Sequence, residues 1–393
     1  RGTPCIRLRA RWPPLPHGRC WAQPLLLGRW VAEPSADIAT ILARQTAVEC
    51  LVTRTDSRTT TRALLKETGD VARCVSRLLL ERGGPRDLSV LRQTGQQLPE
   101  LVKQLQNLQN PLLAKQAEGL SGLHALTTTL TEALMDDPLP ALVRDGGFIR
   151  ERYDDGLDAA RALLTDGNKL LEELEASESA VSGLELKLRY NKVWGYYFEV
   201  TKAQLDKVSG KVPAHFVHRQ TTTNSHRYTT ERLMEFERKV GNASADAQAR
   251  EEAVFASIVQ EVKKHSAALL AVSEALATTD ALAALADLAA RGGWVKPVVD
   301  DSTAFEIQQG RHPVVANRVG DFVPNDCHLS NGALWLITGP NMAGKSTYIR
   351  QVALIAIMAQ IGSFVPAATA EIGLIDKIFT RIGASDDLSR GQS

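Results

Sequence analysis

Residues Gly339-Pro340-Asn341-Met342-Ala343-Gly344-Lys345-Ser346-Thr347 satisfy the phosphate-cradle pattern Gly-x-x-x-x-Gly-Lys-Ser/Thr, which works only as the link between a strand and a helix. Both flanks read that way. The apolar run 333–338 predicts a buried strand, and 345–361 predicts a long helix stopped by Gly362. Gly339 and Gly344 let the backbone wrap round a phosphate in conformations that a side chain would obstruct. The loop N–H groups then face the anion, Lys345 reaches the β- and γ-phosphates, Ser346 offers its hydroxyl to a metal ion, and the helix N-terminus adds its positive end. The expected ligands are ATP and Mg²⁺. What the nucleotide drives has to come from the rest of the chain.

At 393 residues the chain is too long for one core, and roughly two to four domains are expected. With 46 Lys and Arg against 45 Asp and Glu, global charge selects no partner, so any nucleic-acid surface must be a local patch. Aromatic residues make up only 5% while hydrophobic residues reach 44%, a gap filled by Ala and Leu, which points to a helix-rich protein. Cys5, Cys20, Cys50, Cys74 and Cys327 lack a metal-ligand spacing and read as thiols in a reducing compartment. No apolar run approaches the roughly 18 residues of a membrane span, Gln351 and Gln360 interrupting the helix after Lys345, so a soluble protein without a membrane partner is expected.

Along the chain, residues 1–24 carry Arg1, Arg7, Arg9, Arg11 and Arg19 with no acid and no periodicity, and read as an irregular leader. Residues 25–183 form a first helical part. Leu64, Leu65, Val71, Val75 and Leu78 recur at helical steps, with breaks at Pro34 and Gly83-Gly84-Pro85, and a further helix is expected from about 154 to 179. Between 184 and 230 the period changes to two, through Leu184, Leu186, Leu188 and Tyr190 and then Tyr196, Phe198 and Val200, which marks a small β insertion. Residues 231–293 give the longest helical signal, with Phe255, Val259, Val262, Leu269, Val272 and Leu276 in coiled-coil-like spacing. If continuous, this lever would reach roughly 90 Å. Residues 294–393 hold the phosphate loop.

The β insertion departs from the neutral average. Lys187, Arg189, Lys192, Lys202, Lys207, Lys211, Arg219 and Arg227 stand against only Glu199 and Asp206, interleaved with Tyr190, Tyr196, Tyr197, His215, His218, His226 and Tyr228. Thr221, Thr222, Thr223, Asn224 and Ser225 add small donors. Such a mixture suits phosphate contacts on duplex DNA, which position a protein without reading sequence.

Together these features resemble the MutS-type DNA mismatch-repair ATPases from about Leu25 to Ser393. The likeness is carried by the loop through Tyr348-Ile349-Arg350-Gln351 and by Thr380-Arg381-Ile382-Gly383-Ala384-Ser385-Asp386-Asp387-Leu388. Gly310-Arg311-His312-Pro313-Val314-Val315, Phe322-Val323-Pro324-Asn325-Asp326 and Gly195-Tyr196-Tyr197-Phe198-Glu199-Val200 support it. The resemblance implies a multidomain fold, mostly α with long lever helices, a small β clamp insertion and an α/β P-loop (ABC-like) NTPase domain truncated at its C-terminus. It further implies a DNA-dependent ATPase in the full-length protein and a homodimeric clamp on duplex DNA bearing mismatches or small loops. Downstream mismatch-repair factors and a bacterial, cytoplasmic and nucleoid-associated setting are implied too. By motif match, Phe322 lies against adenine, and Asn341, Lys345 and Ser346 serve the phosphates and Mg²⁺. Arg219, Asn224 and Arg227 contact the DNA backbone, and Ser393 caps a γ-phosphate held by the partner's loop.

Ser225-His226 departs from the Ala-Glu more usual in the family. The mismatch-reading domain, the metal-holding Asp and the catalytic Glu are absent from this sequence, which therefore reads as a fragment, inactive alone. Pro16-His17-Gly18-Arg19 is what a one-base slip through the family's Pro-Met-Gly-type segment would give, so 1–24 is read as a frameshifted remnant. Three other readings compete: a recombination-related MutS-like ATPase, disfavoured by Met342 and Ser346-Thr347-Tyr348; an SMC- or Rad50-like ATPase, which needs a far longer coiled coil; and an inert fragment.

Overall fold

The computed structural model describes residues 23–165, 167–191, 195–207, 212–316, 321–329, 332–340 and 343–379. The chain begins with helices α1 (Gln23–Ala32), α2 (Ile38–Thr53), α3 (Thr55–Lys66), α4 (Val71–Leu79), α5 (Pro85–Asn107), α6 (Pro111–Gly119), α7 (His124–Ala133), α8 (Asp155–Thr165) and α9 (Gly167–Ser182). Strands β1 (Lys187–Asn191) and β2 (Gly195–Thr201), helix α10 (Lys202–Lys207), and strands β3 (Phe216–Thr221) and β4 (Ser225–Thr230) follow. Two long helices, α11 (Glu231–Lys264) and α12 (Ser266–Gly292), lead to β5 (Val298–Asp300), β6 (Phe305–Gly310), β7 (Asn325–His328), α13 (Lys345–Gln360) and β8 (Thr369–Gly373). The described residues are mostly helical with two small sheets. They fall into two compact units, one within Arg1–Leu80, Val90–Thr127 and Lys264–Ser393, the other within Glu81–Ser89 and Thr128–Lys263.

In the first unit α12 is the central post, with α1, α2, α3, α4 and α6 packed on it. Its Leu269, Val272, Leu276, Leu282 and Leu285 are buried, as are Ile41, Leu51, Leu65 and Leu78 from the surrounding helices. Side-chain caps start three of those helices: Asp37 accepts from Thr40 N, Asp70 from Arg73 N and Asn110 from Leu113 N. α12 also corrects the membrane reading of the sequence, because it is apolar and long enough to cross a bilayer. Its apolar character is spread over many alanines between Ser and Thr and so formed no conspicuous run. In the fold, 72% of its most apolar window is buried inside the protein, which makes it a core helix.

Against this helical layer lies a four-stranded sheet of order β5-β8-β6-β7, parallel only between β5 and β8. One cluster joins the layers: Ile41 of α2, Ile355, Met358 and Ala359 of α13, and Val299, Ile307, Ala370 and Ile372 of the sheet. Gln45 Nε2 donates to Pro297 O at 3.2 Å across the same seam. α13 stops where the sequence placed its stop, at Gly362, whose φ of 85° is a left-handed turn. A Cβ there would lie 2.4 Å from Arg44 Cβ and 3.1 Å from Ile41 O, so this glycine also permits the close approach of α2.

The strand expected over 333–338 is not formed. Residues 333–340 have no ladder partner, and Leu334 and Leu336 are 94% and 87% exposed. A strand exists only through its neighbours' hydrogen bonds, and a run apolar on both faces needs cover on both. Among the described residues nothing supplies either.

In the second unit, α9 and the start of α11 carry an antiparallel sheet of order β1-β2-β4-β3. Period-two alternation sends Phe198, Val200 and Tyr228 to one face, where they pack with Phe216, Leu171, Leu174 and Leu233. Each such fully buried apolar side chain contributes about 1.5–3 kcal/mol. The single helix expected from 231 to about 291 is instead two, α11 and α12. His265 separates them with φ −93° and ψ 8°, outside regular helical backbone and without a side-chain cap. One residue of altered backbone barely shifts the apolar phase, which is why periodicity reads straight through it. At 1.5 Å per residue the two pieces are roughly 50 and 40 Å long. Over the helix expected near 154–179, α8 and α9 are helical up to and after residue 166, which lies outside the described residues.

Candidate nucleotide loop and nucleic-acid surface

The loop before α13 has the backbone that its glycines allow. Gly339 and Gly344 take φ of 148° and 90°, both disfavoured for a residue with a Cβ. Gly344 is the N-cap of α13 and brings no capping side chain, so the first-turn N–H groups are directed into the loop. Among the described residues nothing lies within 4 Å of a Cβ built on Gly344, so the demand for glycine is conformational. Lys345 folds back over the loop and donates from Nζ to Gly339 O and, at 2.6 Å, to Pro340 O. A helix N-terminus without a capping side chain, with one ammonium beside it, fits a polyphosphate. Ser346 is exposed and Thr347 half-buried at the helix start. Asn341, Met342 and Ser393 lie outside the described residues.

Tyr348, one turn into α13, ties the loop helix to the sheet. Its hydroxyl donates to Asp326 O at 2.9 Å, and burial, followed by the adjacent Cys327, pushes its pKa far above the usual phenol range. Phe322 is half-buried three residues before β7, the strand to which Tyr348 is bonded. At the end of β6, Gly310 faces Gln351 of α13, whose two buried amide atoms have no partner, and a Cβ on Gly310 would come within 2.9 Å of Gln351 Nε2. His312 follows. Its Nδ1 accepts from Val314 N at 3.2 Å and Val315 N at 3.3 Å, while burial, with Arg350 second, lowers its pKa and keeps the ring neutral for that role. The sequence motif contained His312 and Gln351, but their burial shows only in three dimensions.

On the β insertion, the face opposite the apolar cluster carries Lys187, Arg189, Tyr197, Glu199 and Arg227, because these alternate with Leu188, Phe198 and Tyr228. Arg227 is built into this face. Its guanidinium lies 4.7 Å from the Tyr197 ring centroid and donates to Gln220 Oε1 at 2.8 Å, while its Nε is buried without a partner. Arg219 is exposed at a break in register between His218 and Gln220, a β-bulge, and its Nη2 reaches Met234 Sδ. Asn224 is exposed in the turn between β3 and β4, which Thr222 and Ser225 close with hydroxyl bonds. The three expected DNA-contacting residues thus occupy one small sheet, with Arg227 more committed to packing than its charge suggested. Lys192 and Lys211 lie outside the described residues.

Residues 25–286 match the family model for MutS domain III, and residues 335–393 that for MutS domain V. Among curated proteins, the chain is 44% identical over 377 residues to the DNA mismatch repair protein MutS of Paracoccus denitrificans, covering 94% of this chain and 43% of that protein. It is 45% identical over 374 residues to the MutS of Myxococcus xanthus, covering 93% and 41%. The corresponding protein of Rhodopirellula baltica is 43% identical over 373 residues, 94% and 41% being covered. The chain therefore spans about two fifths of the length of these relatives.

Proposed function

The chain belongs to the MutS family of DNA mismatch-repair proteins, and we propose that it carries two working parts of such a protein: a β clamp that grips duplex DNA by its phosphates, and the phosphate-binding side of an ATP site. The observation that carries this reading is the pairing, in one chain, of the domain III and domain V matches with a Gly344-Lys345 loop of fitting backbone. In the nucleotide site, residues 339–347 hold the phosphates, with Lys345 on the β- and γ-oxygens, Asn341 beside them and Phe322 against the base. Ser346 holds Mg²⁺, which when bound offsets phosphate charge. As part of a full-length homodimer, the chain takes part in an ATP-dependent response to duplex DNA with mismatches or small loops, passed on to downstream repair factors. Ser393 of one protomer completes the site of the other.

The clamp assignment predicts a particular salt response. Arg219→Ala removes an exposed charge with little packing and should weaken matched and mismatched duplexes equally, lowering the log–log salt slope by about one unit. Arg227→Lys is the matching change at the packed site, since it keeps the charge while giving up the bond to Gln220 and the flat stack on Tyr197. It should weaken binding without changing the slope. Salt titrations of duplex binding check both, and a defect of Arg219→Ala confined to mismatched duplex would contradict a backbone grip.

A further inference from the structure

The bulge at Arg219 does more than bend β3. In an unbroken strand, residues three apart point to opposite faces. Here the shifted register sets His218 opposite Tyr228 and Thr221 opposite His226, and so gathers His218, Thr221 and His226 on one face beside the β3–β4 turn. The Thr221 hydroxyl stands between the two rings, 2.9 Å from His218 Nε2 and 3.1 Å from His226 Nδ1, and the ring centroids are 5.7 Å apart. His218 and Thr221 are exposed and His226 is half-buried.

A hydroxyl has one hydrogen. With both rings neutral, one ring N–H donates to Thr221 Oγ1, and Oγ1 donates its own hydrogen to the bare nitrogen of the other ring, so the chain of bonds is closed on itself. One added proton changes the count. When that proton goes to the bare nitrogen facing Thr221, both facing nitrogens donate to Oγ1, and the hydroxyl hydrogen, left without an internal acceptor, turns outward. Taking the DNA-clamp reading above as its basis, we infer that His218, Thr221 and His226 form a proton-linked phosphate grip, in which one shared proton supplies a positive charge and an outward hydroxyl donor to a backbone phosphate of duplex DNA.

The surroundings leave that proton to an incoming anion. Among the described residues no carboxylate is bonded to either ring. Glu199 of β2 is on the opposite face and accepts from Ser225 Oγ at 2.8 Å. Tyr228, with its ring 5.5 Å from His218 and 6.3 Å from His226, is held neutral by burial. Arg219 is turned to Met234, Arg227 to Gln220 and Tyr197, and Lys202 begins α10 with its backbone N–H on Asn224 O. His215 is engaged elsewhere, with Nε2 3.0 Å from Glu178 Oε2.

The test is binding of the whole chain to a matched, labelled duplex at fixed salt from about pH 8 to about pH 6, the range in which histidine changes charge. Affinity should rise about three- to tenfold as pH falls, the increase expected for an average uptake of about a quarter to a half of a proton over those two units. His218→Gln and His226→Gln should each flatten the profile, and His215→Gln should leave its slope intact. Thr221→Val should weaken binding more at the lower pH than at the higher. His226→Lys, which fixes the charge, should bind independently of pH, and a folded spectrum for each variant separates loss of the grip from loss of the sheet. A slope unchanged in both glutamine variants, or an equal loss for Thr221→Val at both pH values, overturns the grip. Duplex binding with a flat wild-type profile removes the grip and leaves the clamp, whereas no duplex binding at any pH removes both.

Discussion

Glu251→Ala is expected to destabilise the second unit by about 3–5 kcal/mol, the range for stripping one side of a buried ionic network. Glu251 sits on α11 and is only 4% exposed. Its two oxygens accept from three successive backbone N–H groups, Gly147, Phe148 and Ile149, each at 2.9 Å, and from Arg161 Nη2 at 3.0 Å. Alanine leaves all four donors without that acceptor, two of them, the Phe148 and Ile149 N–H groups, on buried backbone that cannot turn away to water. Glu251→Gln should cost less, because one carbonyl oxygen remains, but its NH₂ group must then face N–H donors. Hydrogen–deuterium exchange supplies the local readout, with amides 147–149 losing protection alongside a fall in the denaturation midpoint. A Glu251→Ala chain that unfolds with the wild type and keeps those amides protected would show that the carboxylate does not organise this turn.

Glu251 also shows where sequence reading stops. In a charged, amphipathic helix one glutamate looks like every other solvated glutamate, and its partners are roughly a hundred residues away. Local signals fared better. The period of two across 184–230 marked a real sheet because one face had to be buried, and Gly344 and Gly362 marked the ends of α13 because the backbone there is left-handed. The failures share a cause. The segment 333–338 was apolar enough for a strand, yet a strand depends on neighbours that its own residues cannot specify. The break at His265 leaves the apolar phase almost intact, so only backbone angles reveal it. Arg219, Asn224 and Arg227 could be placed on one sheet from period and charge, whereas the bulge that sets the faces of His218 and Thr221 follows from pairing register.

Lys345→Ala is expected to weaken ATP binding by about 10²–10⁴-fold, from the loss of charge-assisted hydrogen bonds worth about 1.5–3 kcal/mol each to two phosphate groups. The lysine has a second role in the loop. Its ammonium bridges Gly339 O and Pro340 O, so the same substitution also removes the tie on these two carbonyls. The two contributions separate by comparison with Lys345→Arg, which can still bond to carbonyls and phosphates but is bulkier and differently shaped. It should keep the loop ordered while recovering only part of the affinity. Ser346→Ala addresses the metal alone. It should bind ATP in EDTA as the wild type does, and lose the gain in affinity that Mg²⁺ gives. Titration calorimetry of the whole chain with ATP, with and without Mg²⁺, distinguishes these outcomes. If Lys345→Ala titrates like the wild type, or if Ser346→Ala keeps the full Mg²⁺ response, the loop is not holding the phosphates in the way its backbone and its lysine indicate.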